Sequence, residues 1–256
     1  MNSQNNTIIV SCEVFRHEIE LIASQMETPP VAYFMEQGLH ERPDKLRETI
    51  QDFVLEQEAR RQDEFTILLG YGLCGQGLTE IHSTKATLVL PRVHDCIPLL
   101  LGITQDAASD FSLNGQTYWQ TPGWVCYAHS ELLRNKEAKY NEYLEKYGED
   151  NAHYLMQEQL GWLKHYQTVR LIRWPQIAEM EVRAEKPSGF FEDEARCFAK
   201  EAELPFSECA GSDNYLRALL QGGKNTDLFL HIHPGYTARL TGEGTIVTER
   251  LSSNAC

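Results

Sequence analysis

Residues 65–75 read Phe-Thr-Ile-Leu-Leu-Gly-Tyr-Gly-Leu-Cys-Gly, and this stretch decides the fold. Phe65 to Leu69 is a strand-length run dominated by apolar residues, as expected of a strand covered on both faces. It breaks at Gly70 into a glycine-punctuated loop that ends on a thiol, Cys74. The same plan occurs twice more. Thr7 to Val10 leads to Ser11-Cys12, and Ala86 to Leu90 leads through Pro91-Arg92-Val93-His94-Asp95 to Cys96. Strands buried on both faces belong to parallel sheets flanked by helices. In such a sheet the strand-end loops emerge at one carboxyl edge, where open α/β folds bind ligands. The pattern therefore predicts that Cys12, Cys74 and Cys96 converge.

Working outward, Phe15, Ile19, Ile22, Ala23 and Met26 recur at helical spacing, and Pro29-Pro30 stops that helix. Val31 to Phe34 is a second strand. Asp44 reads as the cap of a helix whose buried face is Leu46, Ile50, Phe53 and Val54, with Glu56 to Asp63 as a solvated charged surface. The order reads β-α-β-α-β-β, or a repeated β-α unit if a short helix forms around Leu78 to His82, and a fifth strand is expected at Thr117 to Gln120. Residues 130–163 read as helical with a break at Gly148, Val169 to Trp174 as extended, and Ile177 to Glu203 as mostly helical. Pro205 to Cys209 is a short extended piece, Tyr215 to Leu220 a brief helix, and Leu228 to Ile232 a final strand.

The expected fold is α/β: a Rossmann-like parallel sheet with helices on both faces and a helical insertion in the second half. It is read as one domain over 1–236, or as two Rossmann-like lobes over about 1–125 and 165–236 with the helical segment 130–163 between them. Residues 237–256 read as a flexible tail.

The 256-residue chain carries 37 acidic and 23 basic residues, for a net charge of −14, so its surface repels phosphate backbones and anionic membranes. No apolar run is long enough to span a bilayer, and Met1 to Thr7 lacks the plan of a signal peptide. A cytoplasmic location is expected. There the seven scattered cysteines read as thiols, ligands or small buried residues rather than a disulfide frame. P-loop, HExxH, GxSxG and EF-hand patterns are absent.

The thiolate is both metal ligand and nucleophile. Three protein ligands with one open position describe catalytic zinc, and also an iron–sulfur cubane with one free iron. A single cysteine is more often a small core residue; three at like topological positions point to a metal site. His40 and His94, each just past a strand, are candidates for a fourth ligand or proton carrier. Asp95 is placed to orient such a histidine. Arg42 and Arg92 can anchor a carboxylate or phosphate. Tyr71 joins His40, Arg42 and His94 as a catalytic candidate. Gly72 and Gly75, with Arg92, are candidates for substrate binding, because glycines let loop N–H groups and the Cys74 sulfur face one ligand. Tyr118, Trp119, Trp124 and Tyr127 form either a pocket wall or core, and His231 with His233 reads as a strand-end pair.

As a set, Ser11-Cys12-Glu13-Val14, Leu39-His40-Glu41-Arg42-Pro43-Asp44-Lys45, Gly70 to Gly75, His94-Asp95-Cys96 with Gly102, and Phe229-Leu230 to Pro234-Gly235 resemble a conserved bacterial and archaeal family, domain of unknown function 1638. The likeness runs over about residues 7–236 and implicates Cys12, His40, Arg42, Cys74 and Cys96. The resemblance implies a setting in corrinoid-dependent one-carbon metabolism. The resulting expectation is a metal-dependent transferase of methyl or other one-carbon groups. Cys12, Cys74, Cys96 and His40 would hold zinc. A small-molecule substrate, a corrinoid protein partner and a homo-oligomer are compatible with it. Two alternatives use the same sulfurs: a [4Fe-4S] enzyme of redox or dehydratase type, and a non-enzymatic accessory protein for a metal or corrinoid.

Overall fold

The computed structural model describes residues 6–103, 116–127 and 135–251. The chain divides into two compact units, one of residues 1–108 with 211–256 and one of residues 109–210. It is a mixed α/β protein.

In the first unit, β1 (Thr7–Cys12), β2 (Val31–Met35), β3 (Phe65–Gly70) and β4 (Ala86–Pro91) pair in parallel in the order β2-β1-β3-β4. Ile8, Ile9, Val10, Ile67, Leu68, Leu69, Leu88 and Leu90 are fully buried, which is why these strands read as apolar runs rather than alternations. Helix α1 (Arg16–Ser24) buries Ile19 and Ile22 behind Phe15, and α2 (Pro43–Arg60) buries Leu46, Ile50, Phe53 and Val54, as their spacing predicts. Pro43 opens α2, so Asp44 lies inside the first turn rather than capping it.

The sheet is not parallel throughout. Its fifth strand, β8 (Phe229–Ile232), runs antiparallel to β4, with Leu88 opposite Ile232 and Pro91 opposite Phe229. A turn at Asn225, whose carbonyl accepts from the Leu228 and Phe229 amides, delivers the chain to the carboxyl end of β4. From there a strand can only run back. Of the two orders, the one without a helix at Leu78 to His82 holds: residues 71–85 are turns, bends and irregular chain, with an isolated bridge between His82 and Thr237. Cys74, Gln76 and Glu80 all have positive φ, which a right-handed helix excludes.

The expected flexible tail instead contains a hairpin, β9 (Tyr236–Leu240) and β10 (Ile246–Arg250), in register from Ile246–Leu240 to Arg250–Tyr236. Two short runs separated by a glycine-bearing turn carry the hairpin signal, although the second run is half polar. Arg92 straps this hairpin down by donating from Nη1 to the Ile246 carbonyl at 2.6 Å and from Nε to the Thr226 carbonyl at 3.0 Å.

The second unit carries its own sheet, and Lys136–Tyr147 and Glu149–Leu160 are the helices of the segment read as the helical insertion. Strands β5 (Thr117–Gln120), β6 (Thr168–Arg173) and β7 (Phe206–Ala210) pair in parallel in that order. Around them stand Pro122–Tyr127, Lys136–Tyr147, Glu149–Leu160, Ile177–Arg183 and Phe190–Glu201, all helical. Part of the expected helix over 130–163, residues 130–134, lies outside the described residues. The lobe boundaries therefore differ from those expected: Thr117–Gln120 pairs within the second unit, whereas helix Asn214–Leu220 and β8 return to the first.

Candidate functional site

The chain passes from β1 outward to β2 and returns on the other side of β1 to form β3. The strand order thus reverses between β1 and β3, and the crevice beyond the carboxyl ends at such a point is where open α/β sheets hold ligands. Cys12 ends β1, and Cys74 lies in the loop after β3. Ser11 stitches the two strand ends together, donating from Oγ to the Gly70 carbonyl at 3.0 Å.

Beyond their formal ends, β3 and β4 stay zipped. The Leu73 amide donates to the Val93 carbonyl and the Cys74 amide to the His94 carbonyl, both at 3.0 Å. Gly72 permits this approach, since a Cβ there would lie 2.5 Å from the Asp95 carbonyl oxygen. The result is contact between the Cys74 and Cys96 sulfurs at 3.6 Å. Cys74, Gly75 and Gln76 are three successive residues with left-handed φ, at +46°, +65° and +73°. Left-handed backbone at non-glycine positions stores strain, and strain of this kind clusters at functional sites.

Residues 34–220 match the family described as "Protein of unknown function (DUF1638)". The chain belongs to this family. The match takes in His40, Arg42, Tyr71, Cys74 and Cys96, and leaves Cys12 and the β9–β10 hairpin outside it. No curated protein and no solved structure matches this DUF1638 chain.

The three thiols lie in a largely buried, acidic environment. Burial first, then the neighbouring Cys96, push the Cys12 thiol up to about 12, against the pull of the Val14 and Glu13 amides. The contact with Cys74, then burial, hold the Cys96 thiol well above its ordinary value, while the Gly72 amide acts the other way. Tyr71 is 2% exposed, and burial followed by Cys12, Cys74 and Cys96 raises its phenol. Among the described residues its oxygen has no hydrogen-bond partner. The Gly72 amide faces the Cys96 sulfur, and the donors at Cys12 come from the Glu13–Phe15 turn of 3-10 helix.

Among the described residues no three His, Cys, Asp or Glu side chains are already gathered as a ligand set. Cys74 and Cys96 touch, and Cys12 acts electrostatically on Cys96 and Tyr71. The His40 segment is brought to the same loop: a Cβ on Gly75 would lie 3.2 Å from Cγ of Pro43, and one on Gly77 would lie 2.7 Å from Cδ2 of Leu46. His40 sits half-buried in the turn of 3-10 helix Leu39–Glu41, and Arg42 is exposed beside it. His94 lies half-buried with the hairpin turn at its ring; a Cβ on Gly244 would be 3.9 Å away.

Other expected residues have local duties. Arg92 is the hairpin strap. Asp95 accepts from the Ile97 amide at 2.8 Å, at the start of helix Ile97–Leu101. Tyr118 stacks on Phe198 at 4.6 Å and accepts a hydrogen bond from the Trp124 indole, so these aromatics pack within the second unit. His231 Nε2 meets the Gly223 carbonyl at 2.8 Å. Two clefts of about 430 and 600 Å³ open at the amino edge of the main sheet, beside Asn6 and Thr7. Arg60 and Arg61 line the first but are engaged by Glu56 and Gln57, and the chemistry-bearing thiols lie at the opposite edge.

Proposed function

We propose that this DUF1638 protein is a metal-dependent enzyme in which Cys12, Cys74 and Cys96 hold a single zinc ion, and that it transfers a methyl or other one-carbon group. The observation that carries the reading is the 3.6 Å approach of Cys74 and Cys96 at the carboxyl edge of the sheet. Two thiolates sharing one zinc at about 2.3 Å in a tetrahedral shell stand ~3.8 Å apart. Thiolates on different irons of a cubane have iron–iron separations between them and sit farther apart. The spacing therefore favours one shared ion over a [4Fe-4S] cluster. Cys12, at the end of the neighbouring strand and electrostatically coupled to Cys96, would be the third protein ligand. The β2-β1-β3-β4 order, with its reversal beside β1, also supports a Rossmann-like reading of the sheet.

The donor set fits such an ion. Cys74 and Cys96 touch, Cys12 and Tyr71 interact with them electrostatically, and the charges that weigh on the thiols, Glu13 and Asp95, are acidic. Ionised sulfur in that setting requires a cation. The bound ion would keep the thiolates ionised and would lower the pKa of a substrate thiol at the open position. The chain supplies the rest. Glu13, Val14 and Gly72 amides hold the sulfur lone pairs, His40 accepts the proton of the substrate thiol, and Arg42 draws in an anionic substrate. The substrate sulfur then attacks the methyl carbon: the S–CH₃ bond forms as the bond to the leaving group breaks, and that bond's electron pair departs with the leaving group. A methyl-corrinoid protein in the cytoplasm is the donor this reading favours.

The test is metal and acid-labile sulfide analysis of anaerobically purified protein, with Cys74→Ser beside it. Near-stoichiometric zinc without sulfide, lost in the variant, supports the reading; iron with sulfide replaces it with the cluster.

A further inference from the structure

Tyr71 carries an observation that the thiol pair does not explain. Its phenol oxygen is buried and makes no hydrogen bond among the described residues, whereas a buried tyrosine hydroxyl ordinarily finds a partner. The residue cannot easily turn away. Gly70 before it lies against the Ser11 side chain, and Gly72 after it lies against the Asp95 backbone, each too closely to admit a Cβ. An unpaired donor held in place among sulfurs is costly unless an acceptor arrives. Gly70 and Gly72 thus hold Tyr71 between Ser11, next to Cys12, and Asp95, next to Cys96, at the strand ends that carry the thiols, and all three thiols act electrostatically on its phenol.

We propose that Tyr71 is a substrate-binding residue whose hydroxyl donates a hydrogen bond to the anionic sulfur of a small thiol substrate seated among Cys12, Cys74 and Cys96. This rests on the metal reading of those thiols. The hydroxyl steadies the substrate sulfur and fixes its direction of attack, while the protein sulfurs are satisfied by the Glu13, Val14 and Gly72 amides.

The test uses the full chain loaded with cobalt(II), whose sulfur-to-metal absorption reports the ligand shell, titrated with 2-mercaptoethanol. Tyr71→Phe is expected to take up cobalt as the wild type does but to bind the thiol about tenfold more weakly, the loss of one hydrogen bond to a charged acceptor. In the metal-free protein the same variant is expected to melt no lower than wild type, because it removes an unpaired hydroxyl. Equal thiol affinity in the two proteins overturns the inference alone. A clear fall in the melting point of metal-free Tyr71→Phe also overturns it, by showing that the hydroxyl already has a partner in the protein. Failure of the wild type to take up cobalt overturns the metal reading, and this inference with it.

Discussion

The sulfurs of Cys74 and Cys96 stand 3.6 Å apart although 22 positions of chain separate them. The parallel pairing of β3 with β4 runs on into their loops, and Gly72 is what allows it, with its α-carbon side against the Asp95 backbone. Gly72→Ala is therefore expected to push the loops apart. Overpacking of this kind costs about 1–3 kcal/mol. The variant should keep its far-ultraviolet circular dichroism and lose most of its metal. Retention of both full metal content and wild-type stability would show that the loop contact is not needed.

Without metal, the buried thiols make the fold sensitive to alkali. The Cys12 thiol is raised to about 12 in the folded chain. A raised value means that the folded state holds the proton more tightly than the unfolded state. This stabilisation is fully present below the ordinary cysteine value of about 8.5 and is lost as the pH rises through the folded value. Cys96 and Tyr71 act in the same direction. Denaturant midpoints of the metal-free protein should fall from about pH 8.5 upward, and Cys12→Ser should flatten the fall. Metal affinity should show the opposite trend and rise with pH, because binding displaces these protons.

Glu58 governs the acid side. It is 5% exposed, and its carboxylate accepts from Ser83 Oγ at 2.5 Å and from the Thr84 and Lys85 amides at 2.6 and 2.8 Å. Burial raises its pKa, but these hydrogen bonds together outweigh burial and leave it below the usual value. That stabilisation is present above about pH 4.3 and disappears as the pH falls through the folded value. Glu58→Ala leaves the Ser83–Lys85 turn without its acceptor and should cost on the order of 3 kcal/mol by urea unfolding at neutral pH. A change under about 0.5 kcal/mol, ordinary for a surface site, would contradict the clamp.

Arg92 ties the hairpin to the loop that carries His94 and Cys96. Arg92→Met should leave the main sheet intact and free residues 236–250, which hydrogen exchange would report as about tenfold faster in that segment alone. Unchanged exchange there would show that the bridge from Thr237 to His82 suffices.

The parts of the fold legible in the sequence are those whose pattern is local. Ile8 to Val10, Ile67 to Leu69 and Leu88 to Leu90 are apolar because both their faces are covered, and Leu46, Ile50, Phe53 and Val54 repeat because one helical face is. The direction of β8 was not legible, since the turn at Asn225 sets it and not the composition of Phe229–Ile232. Glu58 looked like one more charge on a solvated helix end, and only its partners 25 to 27 positions on give it a buried duty. For the site, strand-end position anticipates the meeting of Cys74 and Cys96. The roles of Arg92 and Asp95 were not readable, because backbone carbonyls and amides, which carry no sequence signature, claim both.

The most direct measurement is the metal content of the full chain, purified without oxygen, for wild type and for Cys12→Ser, Cys74→Ser and Cys96→Ser in parallel. The account predicts about one zinc per wild-type chain and a large loss in each variant, with the fold retained by circular dichroism. Wild-type protein that holds no metal, even after incubation with zinc under reducing conditions, would contradict it.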